Sequence, residues 1–324
     1  MFYGALLLTG ANLALRLAGM SFQVCLSGRL GAAGVGLLQL VLSVRMLAFT
    51  LGSAGARTCA LYLSAEALGR RRSVRPALRG CVWYCLLFAL PTAAGLWGLT
   101  PRIAGGWIGD EAAESALRAF ALFLPVSCLN GVMTGLFTAA GRLRTLVAVE
   151  FLEQGCSIAV TFALLSCWAG GDPAKACLSV ALGSSAAGAL SLGCLWFLRQ
   201  EGSPQGREGR PPWRRVWGLA LPVGLADDLR AGLNTIENLI IPRRLALYAG
   251  TVNAMADYGV LHGMVFPALM FPTAILASLA DLLVAEFSRC SQRRGQVRVR
   301  YLARQGLRVS WLFGVCAGGA VFAA

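Results

Sequence analysis

Histidine and lysine are almost absent from this chain: His262 and Lys175 are the only ones among 324 residues. A lone histidine, with eleven cysteines that never form a CxxC pair, argues against a His/Cys metal centre. Cys81 and Cys85 lie one helical turn apart, but nothing nearby completes a site, and they read as small apolar side chains in helix contacts. Acids are scarce too, with 15 Asp and Glu in all and 14% charged residues overall. A soluble domain carries about 25%, so that class is excluded. No charged region precedes the first apolar run, so no cleavable signal peptide is evident and the run reads as a genuine first span.

Hydrophobic residues make up 57% of the chain, and mean hydropathy is +0.65. They are organised into stretches of about 20 residues, the length that crosses a hydrocarbon core roughly 30 Å thick. About nine spans are predicted: 2–26, 34–63, 80–100, 118–140, 145–168, 175–198, 217–242, 255–284 and 305–324. The net charge of +14 is almost all arginine, clustered in every second connection. Arg70, Arg71, Arg72, Arg75 and Arg79 fill one loop, and Arg142 and Arg144 the next. Arg199, Arg207, Arg210, Arg214 and Arg215 fill a third, and Arg289, Arg293, Arg294, Arg298, Arg300 and Arg304 a fourth. The intervening loops are poorer in arginine, and one is acidic (Asp110, Glu111, Glu114). This alternation is the positive-inside bias and predicts a multi-pass protein with a cytoplasmic N-terminus. Membrane topology accounts for the charge, so no nucleic-acid partner is expected.

The segment RQEGSPQGREGRPPWRR, 199–215, cannot pack a core and reads as a cytoplasmic hinge. The predicted organisation is an N-terminal lobe over 1–198, a linker over 199–216 and an incomplete C-terminal lobe over 217–324. A repeat supports two lobes. Leu15-Arg16 corresponds to Leu229-Arg230, and Arg243 follows Arg230 by the interval at which Arg29 follows Arg16. Ala65-Glu66 and Ala285-Glu286 each precede an arginine cluster. Repeats of this kind place a substrate site near the midplane between halves.

A charge at the bilayer centre costs roughly 2.5–3.5 kcal/mol on insertion scales, so intramembrane charges are expected to face an interior. At 100° per residue, Asp227, Arg230, Asn234, Glu237 and Asn238 share one sector of the seventh span, with Asp228 off that face. Asn12, Arg16, Gly19, Gln23 and Ser27 share one side of the first span. Glu150, Glu153, Gln154, Ser157 and Thr161 do so in the fifth. Three such stripes suit a water-filled central cavity. Arg16 and Arg230, each roughly 15–20 Å from the cytoplasmic end, suit a ligand carrying phosphate or diphosphate, which a guanidinium grips bidentately. The alternative is that the charges form interhelical ion pairs, such as Asp227 with Arg230. Arg45 lies on a different face from Gln39 and Ser43, and either lines the cavity or pairs locally. Arg57 reads as snorkelling, His262 as a packed histidine or a proton relay, and Pro267 and Pro272 as a bend that is either a hinge or a structural kink.

The run AGMSFQVCLSGRLGAAGVGLLQL (18–40) resembles the first helix pair of the stage V sporulation protein B-like flippases. These belong to the multidrug/oligosaccharidyl-lipid/polysaccharide exporter superfamily. ENLIIPRRL (237–245) and YGVLHGMVFPALMFPTAILASLADLLVAEFS (258–288) resemble the family's helices 7 and 8, most distinctively at Pro242-Arg243-Arg244 and Tyr258-Gly259. Ala285 departs from the proline common in relatives. The resemblance implies an all-α fold of two pseudo-symmetric six-helix lobes around a central cavity, the second incomplete here, working by alternating access. It implies transport of lipid-linked glycans across the bacterial cytoplasmic membrane for cell-wall or surface polysaccharide assembly. Arg16 and Arg45 resemble cavity arginines of related lipid II flippases.

The expected site therefore joins Arg16, Arg45 and Arg230 on the diphosphate. Asn12, Gln23, Asn234 and Asn238 would be hydrogen-bonding groups, and Arg243 and Arg244 outer-side contacts. Glu150, Glu153, Asp227 and Glu237 would couple a proton or sodium ion or balance charge. No other cofactor and no metal centre is expected, and the partners are a lipid-linked glycan and membrane lipid, with the chain acting as a monomer. A cation-coupled multidrug antiporter is the alternative. A membrane glycosyltransferase fits poorly, because the longest loop holds no acidic pair.

Overall fold

The computed structural model describes residues 2–69, 73–169, 172–199, 213–247, 253–266 and 296–323, and every regular element among them is helical. The helices are α1 Phe2–Ser53, α2 Ala56–Gly69, α3 Arg75–Arg102, α4 Ala113–Ala139, α5 Leu143–Leu164, α6 Pro173–Leu198, α7 Trp213–Leu245, α8 Ala254–Val260 and α9 Gln296–Ala323. Short π-helical turns extend α3 (Ile103–Ile108), α5 (Leu165–Ala169) and α8 (Leu261–Val265). Two compact units emerge. One comprises Met1–Val24 and Met264–Ala324, the other Cys25–Gly263. The linker residues 200–212 and most of the predicted eighth span, including Pro267 and Pro272, lie outside the described residues.

Five helical stretches are long and apolar enough to cross a membrane among the described residues: Leu13–Ser53, Arg75–Ile108, Ala113–Ala139, Leu143–Trp168 and Pro173–Leu198. α7 has the length of a span but not the composition, because Asp227, Asp228, Arg230 and Glu237 interrupt its apolar sequence. The predicted first and second spans run together in α1, which kinks at Gly31. There φ is 69° and ψ 173°, a backbone that only a residue without Cβ adopts cheaply. The predicted second span, 34–63, is itself cut. Ala54 and Gly55 take φ of 42° and 74°, ending α1 before α2 begins at Ala56.

That break is built into a contact. A Cβ on Gly55 would strike the Ala220 carbonyl oxygen and stand 2.8 Å from Gly224 N, while one on Gly224 would lie 2.6 Å from the Ala54 oxygen. The α1–α2 corner and α7 thus touch backbone to backbone. Close small-residue approach of this kind drives helix association in lipid, where the hydrophobic effect does not. Tyr84 of α3 is fully buried and donates its hydroxyl to the Ala54 carbonyl at 3.2 Å, taking up an acceptor that the break leaves outside the helix ladder. Around it, Tyr84 meets Trp217 of α7 edge-on at 5.1 Å, and Phe88 completes the cluster. A second seam joins α1 to α8, where a Cβ on Gly36 would lie 3.2 Å from Gly259 N.

The remaining helices of Cys25–Gly263 pack in the same manner. α4 lies against α2, α3 and α6, and α5 against α6. Leu117, Phe120, Leu124, Cys128, Met133 and Phe137 of α4 are buried. The outward faces are apolar, as lipid requires: Trp83, Leu87, Leu90, Trp97 and Leu122 are all exposed. Asp172 caps α6, its side chain accepting from Ala174 N at 3.0 Å ahead of Pro173.

Candidate functional site: a polar cavity between α1 and α7

α7 presents three faces. Leu221, Leu225, Leu229, Leu233, Ile236 and Ile240 form an exposed apolar stripe. Val216, Ala220, Gly224, Thr235, Leu239 and Pro242 form the packed stripe, and Thr235 donates to the Ser43 carbonyl of α1 at 3.2 Å. Between them run Asp227, Arg230, Asn234, Glu237 and Asn238, as the helical spacing predicts. Asp228, expected off this face, points to the packed side, where its Oδ1 is buried without a hydrogen-bond partner.

A cavity of about 440 Å³ opens beside this polar stripe. Gln39, Leu42, Ser43, Arg45, Met46 and Phe49 of α1 line it together with Asn234 and Asn238 of α7. Gln39, Ser43 and Arg45 therefore share one cavity, although the helical wheel separates Arg45 from the other two. Leu42, Met46 and Phe49 bridge the two directions, so the cavity spans more than one face of α1. The half-buried Arg45 guanidinium sits 4.7 Å from the centre of the Phe120 ring of α4. Such a cation–π contact stabilises a partly desolvated guanidinium by about 1–2 kcal/mol. Among the described residues, Arg45 takes part in no ion pair or hydrogen bond to protein.

The other expected residues are distributed as follows. Arg230, Asp227 and Glu237 are exposed on the same face of α7 but are not among the lining residues. The side chains of Asn12 and Arg16 lie outside the described residues, and Gln23, in the Met1–Val24 unit, is half-buried. Glu153 accepts from Asn130 of α4 at 3.4 Å, and Glu150 is half-buried. Further along α5 the polar stripe does not face a cavity. Ser157 and Thr161 press on Gly183 of α6, where a Cβ would lie 3.1 Å from the Ser157 carbonyl oxygen. Arg243 caps the π-helical turn after α3, donating to the carbonyls of Gly106 and Trp107, the latter at 3.1 Å. Arg244 is exposed. His262 stacks on buried Tyr258 at 4.8 Å, the packed arrangement of the two readings. Sequence reasoning missed Phe120, Asn130 and Ser191. An asparagine inside the apolar run LPVSCLNGVM was the available signal for Asn130.

Residues 9–163, which contain most of α1, all of α2 to α4 and nearly all of α5, are similar to the MatE family. It is 24% identical over 324 residues to the stage V sporulation protein B of Bacillus subtilis (strain 168), covering 96% of this chain and 62% of that protein. Solved structures share the fold. An inward-facing multidrug resistance MATE family transporter of the MOP superfamily superposes with a TM-score of 0.71 at 14% identity, over 95% of this chain and 72% of that one. The MATE multidrug transporter DinF-BH gives 0.67 at 14% identity, over 98% and 70%. A MOP superfamily transporter from Pyrococcus furiosus, described as having a binding pocket of reversed polarity, gives 0.65 at 15%, over 97% and 70%. At these identities the likeness is one of fold: the chain shares the helical architecture of these membrane transporters.

Proposed function

We propose that this chain takes part in moving a lipid-linked diphosphate, such as a glycan or peptidoglycan precursor, across the bacterial cytoplasmic membrane by alternating access, with its N-terminus in the cytoplasm. The observation that carries this reading is Arg45, a guanidinium that lines the cavity and lies over the Phe120 ring. A permanently charged planar fork matches the paired oxygens of a diphosphate. Gln39, Asn234 and Asn238 supply neutral donors and acceptors for the attached sugar. Arg230, one turn from Asn234, extends the positive surface. The family resemblance carried by residues 18–40 and 237–245 favours a glycan-linked substrate, and the Pyrococcus transporter supports the idea that pocket polarity varies across this fold.

The test is reconstitution of the chain in liposomes with a fluorescent sugar linked to a prenyl diphosphate. Movement between leaflets that falls at least tenfold in Arg45→Ala is the expected result. Transport of a cationic dye instead, dependent on Glu150 or Asp227 and indifferent to Arg45, would make the chain a cation-coupled drug antiporter.

A further inference from the structure

Arg45 enters the cavity from α1, and the contact the fold gives it is an uncharged ring on α4. Phe120, Leu124 and Cys128 follow at intervals of four residues and share one face of α4, all three buried. Two of them lie close against α1. A Cβ on Gly52 would stand 3.5 Å from Leu124 Cδ2 and 3.1 Å from Cys128 Sγ, and the Cys128 thiol donates to the Phe49 carbonyl at 3.9 Å. Phe120 sits one turn before Leu124 on this face, where Arg45, Met46 and Phe49 of α1 line the cavity. Its ring is 3% exposed, and the Arg45 guanidinium lies over it, 4.7 Å from the ring centre. The platform under the guanidinium is thus held in place by the close α1–α4 seam.

Chemistry favours a ring over an acid at this position. The negative face of an aromatic ring attracts a guanidinium without adding net charge. A carboxylate partner would cancel the positive charge and take up the same donors that a diphosphate needs. A guanidinium can rest on an aromatic face and still bind an oxyanion in bidentate fashion, because its faces and its N–H groups are separate. Without the ring's attraction, a long flexible side chain spreads over several rotamers and must be ordered again whenever an anion binds. Resting on the reading of Arg45 as the diphosphate anchor, we propose that Phe120 is a positioning residue that acts on the anionic ligand through Arg45. The negative face of the ring, rather than its bulk, holds the guanidinium at the cavity and so sets the affinity.

The experiment replaces Phe120 by phenylalanine carrying one or three ring fluorines, which keep the ring's shape and drain its negative face. Affinity of the purified chain in detergent for farnesyl diphosphate is read by isothermal titration, with thermal unfolding as the check on folding. Loss of a cation–π contact to a partly desolvated guanidinium corresponds to about tenfold in binding. Affinity is therefore expected to fall a few-fold with one fluorine and about tenfold with three, at an unchanged unfolding temperature. Phe120→Tyr is expected to bind like the parent, and Phe120→Leu about tenfold more weakly. The same analogues at Phe137, buried on α4 beneath Arg142 at 5.3 Å, are expected to leave affinity unchanged. If Arg45→Ala leaves binding unchanged, the diphosphate reading itself falls. If Arg45→Ala abolishes binding while a folded trifluorinated chain binds as tightly as the parent, the role of Phe120 falls and the diphosphate reading stands. An equal loss from fluorine at Phe137 marks a general effect of fluorine and likewise overturns the proposal. Where a fluorinated chain unfolds early, Phe120→Tyr against Phe120→Leu decides, and equal affinity of the two overturns it.

Discussion

Two places where α1 and its continuation meet α7 are opposites. At the seam near Gly55 and Gly224 the backbones touch, Tyr84 closes the Ala54 carbonyl, and no room is left for a single added carbon. Near Asn234 and Asn238, further along the same helix, a cavity of about 440 Å³ opens beside the Thr235–Ser43 contact, lined in part by side chains able to hydrogen-bond. The first place is complete without any ligand. The second holds a charged guanidinium that makes no ion pair or hydrogen bond to protein among the described residues. The difference teaches that the tight seam fixes where α7 runs, and the polar cavity is free to be what function needs.

The seam offers the largest expected effect. Gly224→Val puts carbon into the Ala54 backbone, which cannot swing aside as a side chain would. Overpacking of this kind costs on the order of 3 kcal/mol or more, and thermal unfolding in detergent should show a clear loss of stability. If the variant unfolds with the parent, the two helices are not held by that contact.

At the cavity the order reverses: binding changes while stability does not. Arg45→Lys keeps the charge but loses the planar fork, and affinity for a prenyl diphosphate is expected to fall about tenfold with unfolding temperature unchanged. Equal affinity would mean that charge alone matters and that stacking on Phe120 is incidental. Asn234→Ala and Asn238→Ala each remove a neutral hydrogen bond worth about 0.5–1.5 kcal/mol. Each is expected to weaken binding of the sugar-bearing diphosphate a few-fold and that of the unglycosylated diphosphate hardly at all.

The smallest effect is expected at the rim. Arg215, at the start of α7, pairs with Glu66, at the end of α2, at 2.9 Å in an exposed position. Exposed pairs contribute about 0.2–1 kcal/mol and are screened by salt. Glu66→Gln should lower stability only slightly, and high salt should erase the difference. A large, salt-independent loss would show that the rim, rather than the glycine seam, holds α7.

The helical class and the membrane were legible in the sequence, because repeated runs of about 20 apolar residues match the thickness of a bilayer and would leave a soluble chain insoluble. The faces of α7 were legible too, since helical spacing alone sorted Asp227, Asn234 and Asn238 from Asp228. The break at Ala54 and Gly55 was not. The dipeptide lies within the run predicted as one span, and the turn there packs against α7, far away in sequence. Arg45 was weighed against local pairing because a wheel separates it from Gln39 and Ser43, whereas the cavity is broad enough to be lined from both directions. The polar stripe on α5 misled in its second half, where Ser157 and Thr161 pack on Gly183 instead of facing water.

The most direct measurement is photocrosslinking with a prenyl diphosphate whose reactive group sits beside the phosphates, followed by sequencing of the labelled peptides. The account predicts label in residues 39–49 and 234–238, lost on adding excess unlabelled diphosphate and absent in Arg45→Ala. Label confined to the lipid-facing stripe from Leu221 to Leu233, and undiminished in Arg45→Ala, would contradict it.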